Sequence, residues 1–367
     1  MPKANETVLE IDLNALEHNY NFFRSQLNKD TKFLAVVKAY AYGSETFPVA
    51  KKLEELGVDY FAVAYANEGA VLREAGIKTP ILVLHPQPVN FKLIIDKCLE
   101  PSLYSPRILQ EFLKTAKEQK QQQYPVHIKF NTGLNRLGFW ENDVDYIAEQ
   151  LQGRDEFKIV SIFSHLAASE DPNEESFSRN QISSFYKIAS EVEAALPGNP
   201  FRHMLNTSGI LNYPEAQFEM VRSGIGLYGY SNDPKTDSSL QPVVTLKSVL
   251  SQIHKIEPEE TVGYNRAYTS DSSRITATLP LGHADGIGRH FGNNKGRVLV
   301  SGQEAPVIGN VCMDMLMIDI TGIPCKEGDE VIIFGKGHSA EILAARANTI
   351  SYELLTGISQ RIKRIIV

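Results

Sequence analysis

Lys38 ends an apolar run, AVVK, where an ammonium group is costly to bury unless it is paired or chemically used. Desolvation lowers the pKa of a lysine and makes its amine nucleophilic, so one interpretation is a lysine that forms a Schiff base with a carbonyl compound. The alternative is a lysine whose stem is buried while its charge reaches solvent at the rim of a fold. The run alone leaves both open.

Two later apolar runs are followed by residues that could bind a phosphate. Residues 206–209 read NTSG, a helix-cap pattern, and residues 222–226 read RSGIG. Hydroxyls and glycine amides at the start of a helix are the donors that a phosphate needs. A tight turn is the alternative for GIG, and His165, after another run, is by itself more often structural than catalytic.

Eight short apolar runs must position these groups, at 33–38, 60–65, 80–84, 101–104, 126–130, 159–164, 203–205 and 219–222. Amphipathic stretches separate them, for example 46–56, 67–75, 106–121 and 174–195. Strands buried on both faces and alternating with helices predict an α/β fold, a (β/α)8 TIM-type barrel, with a doubly wound sheet as the competitor. In a barrel the candidate groups meet at the carboxyl ends of the strands, and phosphate commonly binds after strands seven and eight.

The pattern changes after a polar linker at 231–242. Beyond it the apolar residues alternate with period two between turn residues, which predicts a mostly β domain ending in a helix at 349–362. We therefore expect a barrel domain over 8–232 and a mostly β domain over 240–367, with residues 1–8 as a segment that could pack against the second domain.

Composition excludes several classes of protein. The 367 residues carry a net charge of −7 with 43% hydrophobic residues, typical of a soluble globular protein and unlike the basic footprint of a nucleic-acid binder. Neither a signal-peptide pattern nor an apolar run near the roughly 20 residues of a membrane span is found in the sequence. Three cysteines without a CxxC pair argue against a disulfide framework or a cysteine zinc site, so we expect a reducing compartment, the cytoplasm, and no metal.

At AVVKAYAYG the chain resembles the alanine racemases, barrel-type enzymes of fold type III that use pyridoxal 5′-phosphate. The resemblance continues in order to the end of the chain. The segments that carry it are KFNTGLNRLGF, FSHLAASED, HMLNTSG, VRSGIGLYG, LKSVLSQIHKIEPEETVGYNRAY, LGHADGIGR, GNVCMDM and TISYELLTGISQR. An ordered series over both predicted domains is far more specific than any single motif.

The resemblance implies a role for each matching residue. Lys38 would hold the cofactor covalently and act as one acid/base, and Tyr264, delivered by the partner subunit of a homodimer, would be the other. Arg222 would face the pyridine nitrogen, with His165 linking it to the tyrosines. Arg136 and the Met313 backbone would contact the substrate, Arg136 also contacting the cofactor. The residues implied around the phosphate are Tyr42, Asn206, Thr207, Gly224, Ile225 and Tyr352. Taken singly, the tyrosines could equally be packing or surface residues.

Several positions depart from the family pattern. Thr207 stands for a usual serine and keeps its hydroxyl, whereas Asn131 replaces an aspartate near Arg136. His283 replaces a tyrosine at the entrance to the substrate pocket, which bears on size selectivity. The remaining departures are Asn310, Met315 and Lys363.

Lys129 matches a position that is carbamylated in some relatives; an ordinary ion-pairing lysine is the alternative. The function implied is interconversion of L- and D-alanine, which in bacteria supplies D-alanine for peptidoglycan precursors. The competing functions are racemisation of serine or of a broader range of amino acids, a pyridoxal-phosphate decarboxylase, and a non-enzymatic vitamin carrier that resembles the barrel alone.

Overall fold

The computed structural model describes residues 4–196 and 198–367. In chain order the strands are β1 (Val8–Ile11), β2 (Lys32–Val36), β3 (Tyr60–Val63), β4 (Ile81–Val83), β5 (Glu100–Leu103), β6 (Tyr124–Lys129), β7 (Phe157–Phe163), β8 (Phe201–His203), β9 (Met220–Ser223), β10 (Val244–Val249), β11 (Gln252–Ile256), β12 (Thr261–Val262), β13 (Tyr268–Thr269), β14 (Arg274–Leu279), β15 (Arg297–Val300), β16 (Gln303–Ile308), β17 (Leu316–Asp319), β18 (Glu330–Phe334) and β19 (Lys363–Ile366).

The helices are α1 (Leu13–Ser25), α2 (Lys38–Tyr42), α3 (Thr46–Glu55), α4 (Ala66–Glu74), α5 (Phe91–Asp96), α6 (Pro106–Glu118), α7 (Val144–Leu151), α8 (Glu175–Ala195), α9 (Thr207–Asn212), α10 (Pro234–Asp237), α11 (Ala340–Arg346) and α12 (Ser351–Thr356). Helix α6 shows how the sequence sets these elements. Ser105 caps it by accepting from the amide of Ile108 at 3.3 Å, Pro106 fits its first turn, and Phe112 with its neighbours at helical spacing is buried. Within the described ranges, no helix is long and apolar enough to cross a membrane.

Strands β2 to β9 pair in parallel and close into a barrel, with β2 joined to β9. This confirms the predicted (β/α)8 fold, and each of the eight predicted runs contains or overlaps one barrel strand. The predicted helices correspond to α3, α4, α6 and α8. The positions of the strands could be predicted because strands buried on both faces contain few polar residues and appear in the sequence as apolar runs.

The second sheet has the order β11-β14-β17-β16-β15-β18-β10-β1-β19. Strand β1 pairs antiparallel with β10 and parallel with β19, so residues 8–11, which the predicted barrel domain over 8–232 includes, lie in this second sheet. Its four residues are all buried, and the strand lies between β10 and β19. The helix predicted over 349–362 is shorter, ending at Thr356, because Gly357 caps it and the chain must turn to enter β19.

The two parts touch at the loop after β2. A Cβ on Gly43 would lie 2.0 Å from the carbonyl oxygen of Leu355 in α12, so only glycine, which also tolerates its φ of +79°, permits this approach. The contact brings the start of the barrel's first loop against the carboxyl-terminal helix. Tyr42 and Tyr352 are thereby placed with their ring centroids 6.1 Å apart.

Candidate active site

Lys38 lies two residues after the end of β2 and opens an unusual turn. Ala39, Tyr40 and Ala41 have φ of 53°, 55° and 51°, and Tyr42 follows at 55°, so α2 is a left-handed turn. Such a conformation costs an L-residue about 1–2 kcal/mol, which the surroundings must offset. Strained backbone of this kind clusters at functional sites, where it fixes how a side chain is presented.

Glu68 secures this turn. Its Oε1 accepts from the amide of Ala39 at 2.6 Å, and its Oε2 accepts from the amides of Ala64 and Tyr65 at 2.7 and 3.0 Å. One carboxylate therefore joins the start of α4 to the residue after Lys38. This residue was not predicted from the sequence, although a glutamate at the third position of a helix, here three residues after Tyr65, is a recognisable capping signal.

The amine of Lys38 is half-buried beside another cation. Burial lowers the pKa of Lys38, the charge of Arg136 lowers it further, and the Glu68 carboxylate partly opposes both. A larger fraction of this amine is therefore neutral, and able to attack a carbonyl carbon, than for a solvent-exposed lysine.

Tyr42 and Gly224 form one wall of a small cradle at the barrel mouth. A Cβ on Gly224 would lie 2.2 Å from the Tyr42 hydroxyl oxygen, so the absence of a side chain there is what lets that hydroxyl face the backbone. Tyr42 is buried, and its ring stacks on Tyr228 at 4.6 Å. Burial raises the pKa of Tyr42, so its phenol stays protonated and available as a donor.

Thr207 and Tyr352 add further hydroxyls. The Thr207 hydroxyl oxygen accepts from the amides of Gly224 at 3.4 Å and Gly226 at 3.3 Å, and the Tyr352 hydroxyl lies 3.5 Å from the side-chain nitrogen of Asn232. Hydroxyls, glycine amides and a helix start converge here, and this donor set suits a phosphate monoester. The cradle thus fits the phosphate of a pyridoxal cofactor.

Asn206 and Ile225 complete this part of the site in other ways. The Asn206 side-chain oxygen caps α9 by accepting from the amide of Gly209 at 2.9 Å, and it also accepts from the Ser169 hydroxyl at 2.8 Å. Ile225 is buried at the start of a 3-10 turn. Asn206 thus fixes the start of α9, and Ile225 directly follows Gly224 at the cradle.

Arg222, on β9, is buried among neutral partners. It donates to the carbonyls of Ser164 and Met204 at 2.7 and 2.9 Å, and to the Nδ1 atoms of His203 and His165 at 2.5 and 3.0 Å. Burial, and the charge of Arg136, lower the pKa of Arg222 to about 9. Burial and the Arg222 charge hold the pKa of His165 well below its usual value, so His165 is neutral.

Lys129 and Arg136 add positive charge. Lys129 is buried at the end of β6, and burial together with Arg136, Arg222 and Lys38 lowers its pKa to about 8. Arg136 is exposed on the following loop. The neighbouring Asn131 uses its side-chain oxygen to accept from the amides of Gly133 and Asn135, as an aspartate could, but it contributes no negative charge to this cluster.

Tyr264 and Met313 lie on the second domain. Tyr264 is 74% exposed and Met313 59%, and no hydrogen bond among the described residues joins either to Lys38. Asn310 holds the loop of Tyr264 by donating to its carbonyl at 3.1 Å. The Met313 carbonyl accepts from the amide of Ala284 at 3.0 Å, next to His283. One chain by itself therefore assembles the Lys38 part of the site and leaves these residues facing outward.

Two family models match the chain. Alanine racemase, N-terminal domain, matches residues 11–232, and Alanine racemase, C-terminal domain, matches residues 243–366. The alanine racemase of Thermodesulfovibrio yellowstonii is 38% identical over 363 residues, covering 97% of this chain and 96% of the relative.

Solved structures agree with these matches. The alanine racemase of Clostridium difficile 630 superposes with a TM-score of 0.92 at 34% identity, covering 100% of this chain and 97% of that one. The structure of alanine racemase from Bartonella henselae with covalently bound pyridoxal phosphate superposes with a TM-score of 0.89 at 28% identity, covering 99% and 100% of the two chains.

Proposed function

Because the chain belongs to the alanine racemase family, and is therefore an amino-acid racemase, we propose that it interconverts L-alanine and D-alanine with pyridoxal phosphate as its cofactor. The observation that carries the proposal is the juxtaposition of a lysine of lowered pKa with the Tyr42–Gly224 cradle at one barrel mouth. Its product would be D-alanine for peptidoglycan precursors.

We propose a place for each part of the cofactor among the residues present. Lys38 would hold it covalently, while the phosphate would lie among the hydroxyls of Tyr42, Thr207 and Tyr352 and the amides near Gly224. When bound, pyridoxal phosphate supplies the electron sink that an unactivated α-carbon needs in order to lose a proton. Arg222 would face the pyridine nitrogen, and Arg136 would receive the substrate carboxylate.

Two bases on opposite faces suit racemisation, because one must remove a proton where the other returns it. Lys38 would serve the D-alanine face and Tyr264 the other. Since Tyr264 points into solvent in a single chain, its delivery requires a second copy in a homodimer, where the Met313 loop would also reach the partner's site. His165, neutral and hydrogen-bonded to Arg222, would be positioned to influence the Tyr264 phenol.

Mixed dimers test this arrangement sharply. Lys38→Ala and Tyr264→Phe each remove one base, so each homodimer should be inactive. A mixed dimer carrying different affinity tags, purified through both tags, would contain one complete site and should recover about half of the wild-type activity per dimer. An inactive mixed dimer would show that Tyr264 does not complete the partner's site.

Arg222 has a consequence for reaction specificity. A guanidinium is a poor proton donor, so the pyridine nitrogen beside it should remain unprotonated and the electron sink weaker than with a carboxylate partner. That favours return of the proton over side reactions. Arg222→Glu should produce a new long-wavelength absorbance during turnover and faster transamination; a variant with neither change would overturn this explanation.

Lys129 is the candidate for carbamylation. Its pKa of about 8 makes a neutral amine accessible, and a carbamate would place a negative charge in a cluster of cations. We expect activity lost in CO2-free buffer to return on adding bicarbonate, with Lys129→Ala insensitive to both. An ordinary ammonium at this position predicts no bicarbonate effect.

Substrate breadth is decided by direct assay. His283, near the Met313 loop, bears on how large a side chain can enter. We expect conversion of L-alanine to exceed that of L-serine and L-lysine, with no release of CO2. Higher activity with serine or lysine would identify a racemase of different specificity, and CO2 release would indicate a decarboxylase.

A further inference from the structure

A row of polar side chains crosses the barrel interior beneath the candidate site. Arg222 Nη1 contacts His203 Nδ1 at 2.5 Å, and His203 Nε2 contacts Ser161 Oγ at 3.0 Å. Ser161 Oγ in turn contacts His127 Nδ1 at 2.5 Å, and His127 Nε2 contacts Glu100 Oε2 at 2.8 Å. We call these five residues the barrel relay.

The relay spans the depth of the barrel on five different strands. Glu100 is the first residue of β5 and Arg222 the third of β9, so it runs from the amino-terminal end of the barrel toward the site. His127, Ser161 and His203 have no exposed surface, and Glu100 and Arg222 are 8% and 5% exposed. Hydrogen bonds so buried meet little competition from water and are stronger electrostatically than bonds at the surface.

The two ends determine where every proton lies. A guanidinium can only donate, so His203 must accept at Nδ1 and carry its proton on Nε2. That proton goes to Ser161. Among the described residues, His127 Nδ1 is the acceptor left for the Ser161 hydroxyl, and a buried hydroxyl proton rarely lacks an acceptor. His127 then carries its proton on Nε2 and donates to Glu100, since an ionised carboxylate can only accept. The relay therefore has one direction, from Arg222 to Glu100.

Arg222 needs such support because its other partners are neutral. Its hydrogen bonds go to imidazoles and carbonyls, while Arg136 and Lys129 add positive charge nearby. Hydrogen bonds aligned in one direction polarise one another, so a negative charge at one end makes the acceptor at the other end more negative. The acceptor at that end is His203 Nδ1, which faces the guanidinium.

We propose that Glu100 is a remote positioning residue for Arg222. Acting through the relay, it fixes the Nε2–H tautomer of His203, and it orients and stabilises the guanidinium that would face the cofactor ring. The proton arrangement is a property of the chain alone, whereas its effect on catalysis rests on the proposed function. The separate readouts below distinguish failure of one from failure of the other.

Ring-nitrogen NMR tests the proton arrangement without cofactor or substrate. In protein labelled with ¹⁵N at its nine histidines, His203 should show a protonated Nε2 and an unprotonated Nδ1. Ser161→Ala removes the acceptor of that proton and should shift His203 toward a tautomer mixture. A wild-type His203 protonated on Nδ1, or a spectrum unchanged by Ser161→Ala, would overturn the proposal.

Kinetics of the holoenzyme test the effect on Arg222. Glu100→Gln keeps an oxygen that can accept from His127 but removes the charge. We expect kcat for alanine to fall by about tenfold in Glu100→Gln and at least as much in Ser161→Ala, typical of losing an outer hydrogen-bonded partner, with KM little changed. Wild-type kcat in both variants would refute the positioning role.

Glu219→Gln is the matched control. Glu219 precedes β9 at the same end of the barrel and pairs with Arg202 at 2.5 Å, outside the relay. Glu219→Gln should change neither the His203 spectrum nor kcat. An effect equal to that of Glu100→Gln would mean that loss of any negative charge at this end of the barrel perturbs the site. Should the wild-type enzyme not racemise alanine, the proposed function fails while the NMR result still decides the relay.

Discussion

Gly224→Ala probes the proposed phosphate cradle with a single methyl group. The added Cβ would lie 2.2 Å from the Tyr42 hydroxyl oxygen and 2.9 Å from its Cζ. Tyr42 cannot readily retreat, because it is buried and stacked on Tyr228 at 4.6 Å. Accommodating the methyl must therefore displace the hydroxyl that is proposed to reach the phosphate.

The size of the effect follows from two costs. Overpacking a buried site costs about 1–3 kcal/mol, and losing a hydrogen bond to a charged group costs about 1.5–3 kcal/mol. Only the lost hydrogen bond is specific to the cofactor-bound state. Because each tenfold change in affinity corresponds to about 1.4 kcal/mol, we expect the Kd for pyridoxal phosphate to rise about 10- to 100-fold. The unfolding free energy of the apoprotein should fall by the overpacking cost.

Titration of apoprotein with pyridoxal phosphate, followed by absorbance, gives the Kd, and urea unfolding gives the stability. Tyr42→Phe provides the matched background, because removing the hydroxyl takes the nearest contact of the new methyl from 2.2 to 2.9 Å. In the Tyr42→Phe background, Gly224→Ala should raise the Kd for pyridoxal phosphate and lower the unfolding free energy by less than it does in the wild-type protein. A wild-type Kd in Gly224→Ala would refute the location of the cradle.

Three further outcomes are expected. Tyr264→Phe should reduce racemisation by about 10²- to 10⁴-fold in both directions while pyridoxal phosphate still binds, as expected for loss of one acid/base group at an exposed side chain; near wild-type rates would rule Tyr264 out. Glu68→Gln should lower the pKa of Lys38 further, because the lost carboxylate had raised it, so apoprotein should combine with pyridoxal phosphate at lower pH; a shift of the stopped-flow pH profile to higher pH would contradict this. The unfolding free energy should fall as the pH drops below about 6.5, by up to about 1.4 kcal/mol per pH unit for each of His165 and His203. The reason is that burial lowers the pKa of both imidazoles in the folded protein, so they bind protons only after unfolding. Urea unfolding at several pH values would show this slope, and His165→Gln should reduce it; an unchanged slope in that variant would exclude a contribution from His165.

The barrel was predictable because its strands are short, apolar and separated by amphipathic helices, and because Lys38, Thr207 and Arg222 recur at strand ends. The pairing of β1 with β10 and β19 could not be predicted, since a strand of four residues, three of them apolar, carries no information about a partner hundreds of positions away. Sequence patterns describe local burial well and distant pairing poorly.

The detailed geometry of the site also lay beyond the sequence. Alanine and tyrosine do not signal a left-handed turn, which here is imposed by the contacts of Glu68 and by the close packing of Gly43 on Leu355. Glu100 and His127 are 27 positions apart on β5 and β6, and the folded barrel is what brings their side chains into contact. The proposed delivery of Tyr264 to a partner's site needs a second chain, which a pattern within one sequence does not describe.

Borohydride reduction of the protein reconstituted with pyridoxal phosphate, followed by peptide mapping, tests the central claim most directly. The account predicts a visible absorbance band that reduction abolishes, with the cofactor fixed on Lys38 alone. Lys129 offers an internal comparison, because it too is buried with a lowered pKa. A label on Lys129 instead, or a colourless protein that takes up no cofactor, would contradict the assignment of Lys38 as the residue around which the site is built.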